Sequence, residues 1–598
     1  MMECLLLLAA SQAAPLAPEE SARRLHLPEG FRATVFAAEP DLVQPIAFAL
    51  DDRGRVWAVE SRSYPDWLPP GTEGRDRILI FEDRDGDGRF DSRRVFHDRL
   101  ANVSGLALGF GGVWLCATPY LLFIPDRDAD DRPDGPPEIL LDGWNLKGRH
   151  NVASKPSWGP DGWLYGGHGI LSTSLVGPPG APDGARTAIN CGVWRYHPVR
   201  RRFEAVAHGT TNPWGLDWDE AGELFITNCV IQHLWHVVPG AHYERMYGQD
   251  VTAPNLYALM PAASDHLHWA GGRWQDARGQ ERHLEHGGGH AHAGALIYLE
   301  DTWPARYRGT LFTVNLHGRR VQNDLLEPRG STYRGRHGPD FLRAEDPWFR
   351  GLDLQAGPDG NVFLSDWNDT GECHDYDRAE TETGRLFKIS YGPSRRVEVD
   401  LARAADADLV ARLAGPAEWF ARRARRILQE RAAEGRLEAG TIRALEARFR
   451  AETSAPRKLR ILWALHATGG LSEALLAEAL AVPEEDVRAW ALRLAADLGP
   501  PPESLRPLLL ERAERDPSPR VRRALVEVLR RLPPRERFPI AERLAVRAED
   551  AEDPHLPLLL WYALEPAAAA DPARAAELLS RTRWPLLRRF LARRLASY

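Results

Sequence analysis

An all-β six-bladed β-propeller followed by an all-α HEAT-like solenoid is the fold class this sequence predicts, on two observations. One phrase occurs six times before residue 391: a small or apolar lead-in, a turn that is most often D-x-x-G or P-D-G, then a strand rich in aromatics or valine. Beyond "KISYGPSRR" the chain changes abruptly to Ala, Leu, Arg and Glu, with apolar residues at i, i+3, i+4 and i+7. The hydrophobic period moves there from strand to helix.

The N-terminal "MMECLLLLAASQAA" (1–14) sets a short apolar run before small residues, the pattern of a cleaved leader, although Glu3 stands where a basic residue is usual. It predicts export and a periplasmic or extracytoplasmic location. No later stretch reaches eighteen apolar residues, so no transmembrane span is expected.

The six copies are "IAFALDDRGRVWAVES" (46–61), "VSGLALGFGGVWLCAT" (103–118), "PSWGPDGWLYGGHG" (156–169), "PWGLDWDEAGELFITN" (213–228), "GALIYLEDTWPARYRGTLFTVN" (294–315) and "GLDLQAGPDGNVFLSDW" (351–367). Each reads as the two inner strands of a blade, and a lone four-stranded sheet cannot cover both its faces. Ring closure over 27–391 supplies the neighbours. A β-sandwich would also alternate, but does not predict one phrase six times.

In 400–598, "PRKLRILWALHATGG", "EDVRAWALRLAADLG", "PSPRVRRALVEVLRRLP" and "HLPLLLWYALEP" recur at intervals of about thirty residues with Pro or Gly between them. Stacked helix pairs follow, because each amphipathic pair needs the next to cover its apolar face. The arginine runs read as solvated helix faces, and this half as a scaffold that docks a protein partner or a separate electron acceptor.

The net charge of −8 offers no basic stripe for phosphates, which excludes nucleic acid. Cys4, Cys116, Cys191, Cys229 and Cys373 form no C-x-x-C and no C-x-x-C-H, which excludes a zinc ribbon and covalent haem. Disulfides and buried thiols both stay open. Two acidic loops, "DRDGDGRFD" and "DRDADDRPD", place Asp83, Asp85, Asp87 and Asp91, and Asp126, Asp128, Asp130 and Asp134, at calcium-loop spacing 1-3-5-9. Both lack a glutamate at position twelve, and Asp-Gly turns also form without metal. The glycine at position six favours the first loop; Asp131 holds that position in the second.

The phrases "GWLYGGHG", "GGGHAHAGALIYLEDTWPARYRGTLFTVNLHG", "DPWFRGLDLQAGPDGNVFLSDWNDTGE" and "TGRLFKIS" together resemble the planctomycete and verrucomicrobial "membrane-bound dehydrogenase domain" family, over most of 27–391. Many members end in a haem-binding C-x-x-C-H module, which this chain lacks. More distantly the propeller is similar to the soluble quinoprotein glucose and sorbosone dehydrogenases, which hold pyrroloquinoline quinone (PQQ) and Ca2+ at the channel mouth. The resemblance implies oxidation of a sugar or polyol hydroxyl, with His150, just before the Gly159-Pro160-Asp161 turn, as the base. Imidazole suits that step, being a neutral base near pH 7.

The same resemblance makes Asn212 a cofactor contact and places Arg350, with His317, Arg319 or Arg320, near the quinone carboxylates. Thr211 and Trp348 stand where those enzymes have arginines; neither can donate a charged fork. In "HLEHGGGHAHAG", His290 and His292, beside His283 and His286, would flank the substrate or form a metal pair if extended. Two rivals remain: a propeller that binds a glycan or protein without chemistry, and a calcium-dependent lactonase using Asp366 and Asn368.

Overall fold

The computed structural model describes residues 14–250, 252–253, 255–264, 285–371 and 376–597. All but the last residue of the expected leader lies outside these, as do Cys4, Cys373 and His283.

Six sheets form the blades, antiparallel except where His242–Arg245 joins the edge of the third in parallel. Their innermost strands are Pro45–Leu50, Val103–Leu108, Ser154–Trp158, Asn212–Trp218, His292–Ile297 and Gly351–Ala356, and each pairs with the next strand of its own phrase. These six strands contact one another in sequence, and the sixth returns to the first. Each repeated phrase is thus the inner hairpin of one blade. The last blade takes its outer strand, Phe31–Ala38, from the N-terminal side, where it pairs with Arg385–Tyr391. Most of the apolar core lies between blades: Trp57, Ile78, Leu106 and Leu115 join the first two, and Phe36, Phe48, Leu79 and Phe363 join the sixth to the first.

Up-and-down sheets alternate their connections between two ends. The tight turns of the inner hairpins and the two acidic loops lie at one end, and the long loops that carry the expected cofactor and substrate residues lie at the other. Between the ends, Lys155 of the third blade pairs with Asp353 of the sixth, across the ring.

After a short N-terminal helix α1 (Pro18–Arg23), the C-terminal half holds α2 (Asp406–Leu413), α3 (Glu418–Ala433), α4 (Thr441–Ala451), α5 (Ala455–Ala467), α6 (Glu473–Ala481), α7 (Glu485–Ala495), α8 (Arg506–Arg515), α9 (Pro519–Leu529), α10 (Phe538–Leu544), α11 (Leu556–Ala570), α12 (Pro572–Arg581) and α13 (Pro585–Leu595). The odd-numbered helices from α3 pack on one another as an inner layer, each backed by the even-numbered helix before it. No helix among the described residues is long and apolar enough to cross a membrane.

The inner layer lies on the hairpin-turn end of the propeller. Helix α3 spans that mouth: Arg423 donates to the Leu50 carbonyl, Glu430 accepts from the Phe110 N–H, and Gln429 donates to the Gly162 carbonyl. Arg422 pairs with Asp217, and the Trp419 N–H donates to Glu300. Five blades are touched by one helix, so the channel is blind at this end.

The arginines correct the sequence reading. Arg425, Arg460, Arg488, Arg522 and Arg523 are buried, not solvated. Arg488 and Arg522 form two-pronged pairs with Asp516 and Asp550 between successive repeats. A planar fork suits such enclosed carboxylates. Helical periodicity shows which face is polar, but not whether a second layer will cover it.

Gly222 marks how close the halves come. Its φ is 75°, and a Cβ there would lie 2.5 Å from Trp463 and 2.7 Å from Trp490. Gly222→Ala is expected to cost about 2–4 kcal/mol, from overpacking plus left-handed strain. Gly71, also left-handed but in open space, is the control for strain alone. Urea midpoints of the two variants separate the contributions.

Candidate functional site

The long-loop end opens into a cavity of about 220 Å³. Its walls are mainly aromatic and aliphatic: Trp67, Trp214, Trp367, Ile170, Leu316 and Leu352. Leu352 lines this cavity and Leu354 a second one against α3, so Asp353 and its partner Lys155 lie between the two.

His150 lines the cavity and is 8% exposed. It sits on the 3-10 turn Leu146–Asn151, where Arg149 adopts φ 50°, ψ −134°. Such backbone is strained for a side chain with a Cβ and persists only where the surroundings fix it. Here the Arg149 guanidinium lies 4.3 Å from the centre of the Tyr376 ring. The imidazole stands between indoles, its centroid 6.3 Å from Trp67 and 6.0 Å from Trp214.

Asn151 was not singled out from the sequence. Its Oδ1 accepts from Trp214 Nε1 at 3.1 Å, which fixes the amide's orientation. Its Nδ2 is then a buried donor with no partner, and so is the Nε1 of Trp67. Thr211, 1% exposed, likewise presents an unpartnered Oγ1. All three residues line the cavity. Buried polar atoms are normally satisfied, so unsatisfied donors among the lining residues mark where a ligand's oxygens would be held.

Asn212 also lines the cavity; its Oδ1 accepts from the Ile170 N–H. Asn228, wholly buried, accepts from the N–H groups of both Thr211 and Asn212 and fixes this corner. Thr211, at the position where the family resemblance would put an arginine, is a wall residue.

The other expected residues divide between the cavity wall and the interior behind it. Arg350 reaches the cavity, but its guanidinium donates to the carbonyls of Pro347, Phe349, Thr370 and Gly371 and clamps the rim. Arg320 is buried off the cavity, in an ion pair with Asp340 and with its Nε donating to the Gly318 carbonyl. Arg319 forms the turn before that strand at φ 49° and is not a wall residue. His290 lines the cavity, with His317 behind it at 4.3 Å between ring centroids. His292 does not face the same space: it is buried against Gln322, 2.9 Å away, and burial above all holds its imidazole well below the usual range.

Asp366 and Asn368 are fully buried and bond to each other; Asp366 also accepts the Arg350 N–H. Burial pushes the Asp366 carboxyl up to about 6. They build a turn and do not reach the ligand space, so the axial cluster a lactonase would need does not form from them. Trp348 packs away from the cavity as well.

Among the described lining residues the one carboxylate is Asp369, whose oxygens accept from Gly371, Trp367 and Glu380. PQQ carries three carboxylates, and calcium takes six to eight oxygens. One guanidinium already committed to carbonyls, and one committed carboxylate, do not fit that pair. Cys116, Cys191 and Cys229 are free thiols, so the disulfide alternative does not hold for them.

Fold and site together define a six-bladed propeller with an aromatic cavity at one mouth and a helical layer closing the other. Residues 17–391 match the family described as "Domain of unknown function (DUF7133)", and the chain belongs to that family. Among solved structures it is similar to the PQQ domain of pyranose dehydrogenase from Coprinopsis cinerea (13% identity, 61% of this chain and 97% of that one, TM-score 0.37). It is also similar to the soluble aldose sugar dehydrogenase from Escherichia coli (13%, 60% and 99%, 0.36) and to a luciferin-regenerating enzyme (9%, 62% and 98%, 0.36). Likenesses at this level do not bear on the chemistry. No match was found among curated proteins.

Proposed function

We propose that the mouth cavity binds a small neutral polyhydroxylated molecule, a sugar or polyol, and that His150 accepts a hydrogen bond from one of its hydroxyls. The observation that carries the reading is the Asn151 amide, pinned by Trp214 with its Nδ2 donor left for a ligand oxygen. Trp67 adds a second indole N–H beside His150, and the aromatic walls suit the apolar face of a sugar ring. With one committed carboxylate at hand, a neutral ligand matches the site better than a polyanion.

A second reading, oxidation of the bound hydroxyl with a quinone acceptor after export, is favoured by His150's place in the wall. It is opposed by the scarcity of cations there. The helical half then stabilises the propeller, whether or not it also docks a partner.

Calorimetric titration of the full chain with a panel of neutral sugars and polyols tests the proposal. Saturable binding is expected, weakened tenfold or more by Asn151→Ala and by Trp214→Phe, which releases the amide. Absence of saturable binding across the panel, or affinity unchanged in Asn151→Ala, overturns it. A parallel titration with PQQ and Ca2+ decides the second reading: quinone bleaching by a bound sugar, lost in His150→Ala, establishes the oxidation.

A further inference from the structure

The two acidic loops look alike in sequence but differ in the fold. In the first, Asp83 accepts from the N–H groups of Gly86 and Gly88, and the Lys388 ammonium lies 3.8 Å away. Asp83, Asp85 and Asp91 also bring their oxygens within 4.8 Å of one another, but here Lys388 already sets a cation beside Asp83.

In the second, donor oxygens of Asp126, Asp128 and Asp130 lie within 4.8 Å of one another. No lysine or arginine among the described residues pairs with these three; the neighbouring arginines, Arg55 and Arg94, pair with Asp131 instead. Asp126 is 9% exposed, and its Oδ1 is a buried acceptor with no hydrogen-bond partner. Three close carboxylates without a counter-cation, one of them buried and unsatisfied, call for a hard cation with oxygen ligands.

We infer that the loop from Asp126 to Asp134 binds one Ca2+ through Asp126, Asp128 and Asp130. The role is structural. Arg53 and Arg94 of the first blade donate to the carbonyls of Ala129 and Asp130, so ordering this loop ties the first two blades together. The loop also borders a cavity against α3. From sequence the first loop is favoured by its glycine at position six; the Lys388 ammonium beside it is visible only in the fold.

The test uses the full chain stripped with EDTA and titrated with CaCl2 in a calorimeter, with melting followed in parallel. Wild type is expected to bind Ca2+ saturably and to gain a few degrees in melting midpoint. Asp126→Asn and Asp128→Asn should both abolish the gain, while Asp85→Asn in the first loop retains it. Asp128 is exposed, so its variant keeps the fold even if loss of Asp126 does not. No calcium response in wild type, or one that survives in Asp128→Asn, overturns the inference. So does a response abolished by Asp85→Asn instead.

Discussion

A chain ending at residue 399 is expected to be insoluble, although every propeller strand is present. One continuous core cluster contains Trp163, Leu216, Trp218, Leu224 and Trp235 of the blades together with Leu428, Trp463, Trp490 and Leu525 of the helices. Removing the helices exposes that apolar face on the hairpin-turn end. It also strips Asp217 of Arg422, and Glu223 of both Arg493 and Arg523. Those carboxylates open to water when the helices go, so the damage comes from the contiguous apolar face, larger than a soluble monomer normally exposes. Soluble yield and size-exclusion profile, compared with the full chain, provide the measurement. A monodisperse 14–399 fragment with intact β-sheet circular dichroism would show that the helical half is an appendage after all.

The blades were legible because an inner hairpin writes itself locally: the turn residues and both strands fall within some twenty positions. His150, Thr211 and Asn212 line the cavity because each lies just before, or at the start of, the inner strand of a blade. Asn151 and Trp214 were missed because their bond joins residues 63 apart in sequence, a register set by the ring and not by any motif. Arg320 and His292 failed for a different reason. One residue of register moves a strand side chain to the opposite face, and the family resemblance fixed the segment but not the face. The role of α3 was hidden too, since an arginine-rich helix over a channel mouth has the same periodicity as one in water.

Glu223→Gln is expected to be the most damaging single substitution in the propeller, at about 3–5 kcal/mol. The side chain is 2% exposed and follows Gly222 at the end of an inner hairpin turn. It accepts from His236 Nε2 at 2.8 Å, Arg493 at 3.2 Å and Arg523 at 2.5 Å. Burial alone would raise its pKa; Arg493 and Arg523, then His236, outweigh burial and hold the carboxyl well below the usual range. Its stabilisation is therefore complete above the unfolded-state value near 4.3 and disappears as the pH falls through the depressed folded value. His236 acts in the same direction. Burial above all lowers its imidazole to about 4, so the folded state keeps it neutral and loses stability as the pH drops from about 6.5. With Nε2 donating to Glu223, its Nδ1 accepts from the Thr332 hydroxyl at 2.8 Å, a single tautomer that satisfies both neighbours. In Glu223→Gln the fully buried Arg523 keeps only Glu527 as a charged partner. Denaturant unfolding at pH 7 should show the full deficit. The gap to wild type should narrow below about pH 4.5, where the wild-type carboxylate begins to lose its own advantage, while the slope from His236 persists in both proteins. Adding Arg523→Met should recover part of the loss, because the penalty lies in an uncompensated buried cation and not in the missing glutamate. A deficit below about 1 kcal/mol at pH 7, or no recovery in the double variant, would mean that solvent reaches this pair and that the two halves are held by apolar contact alone.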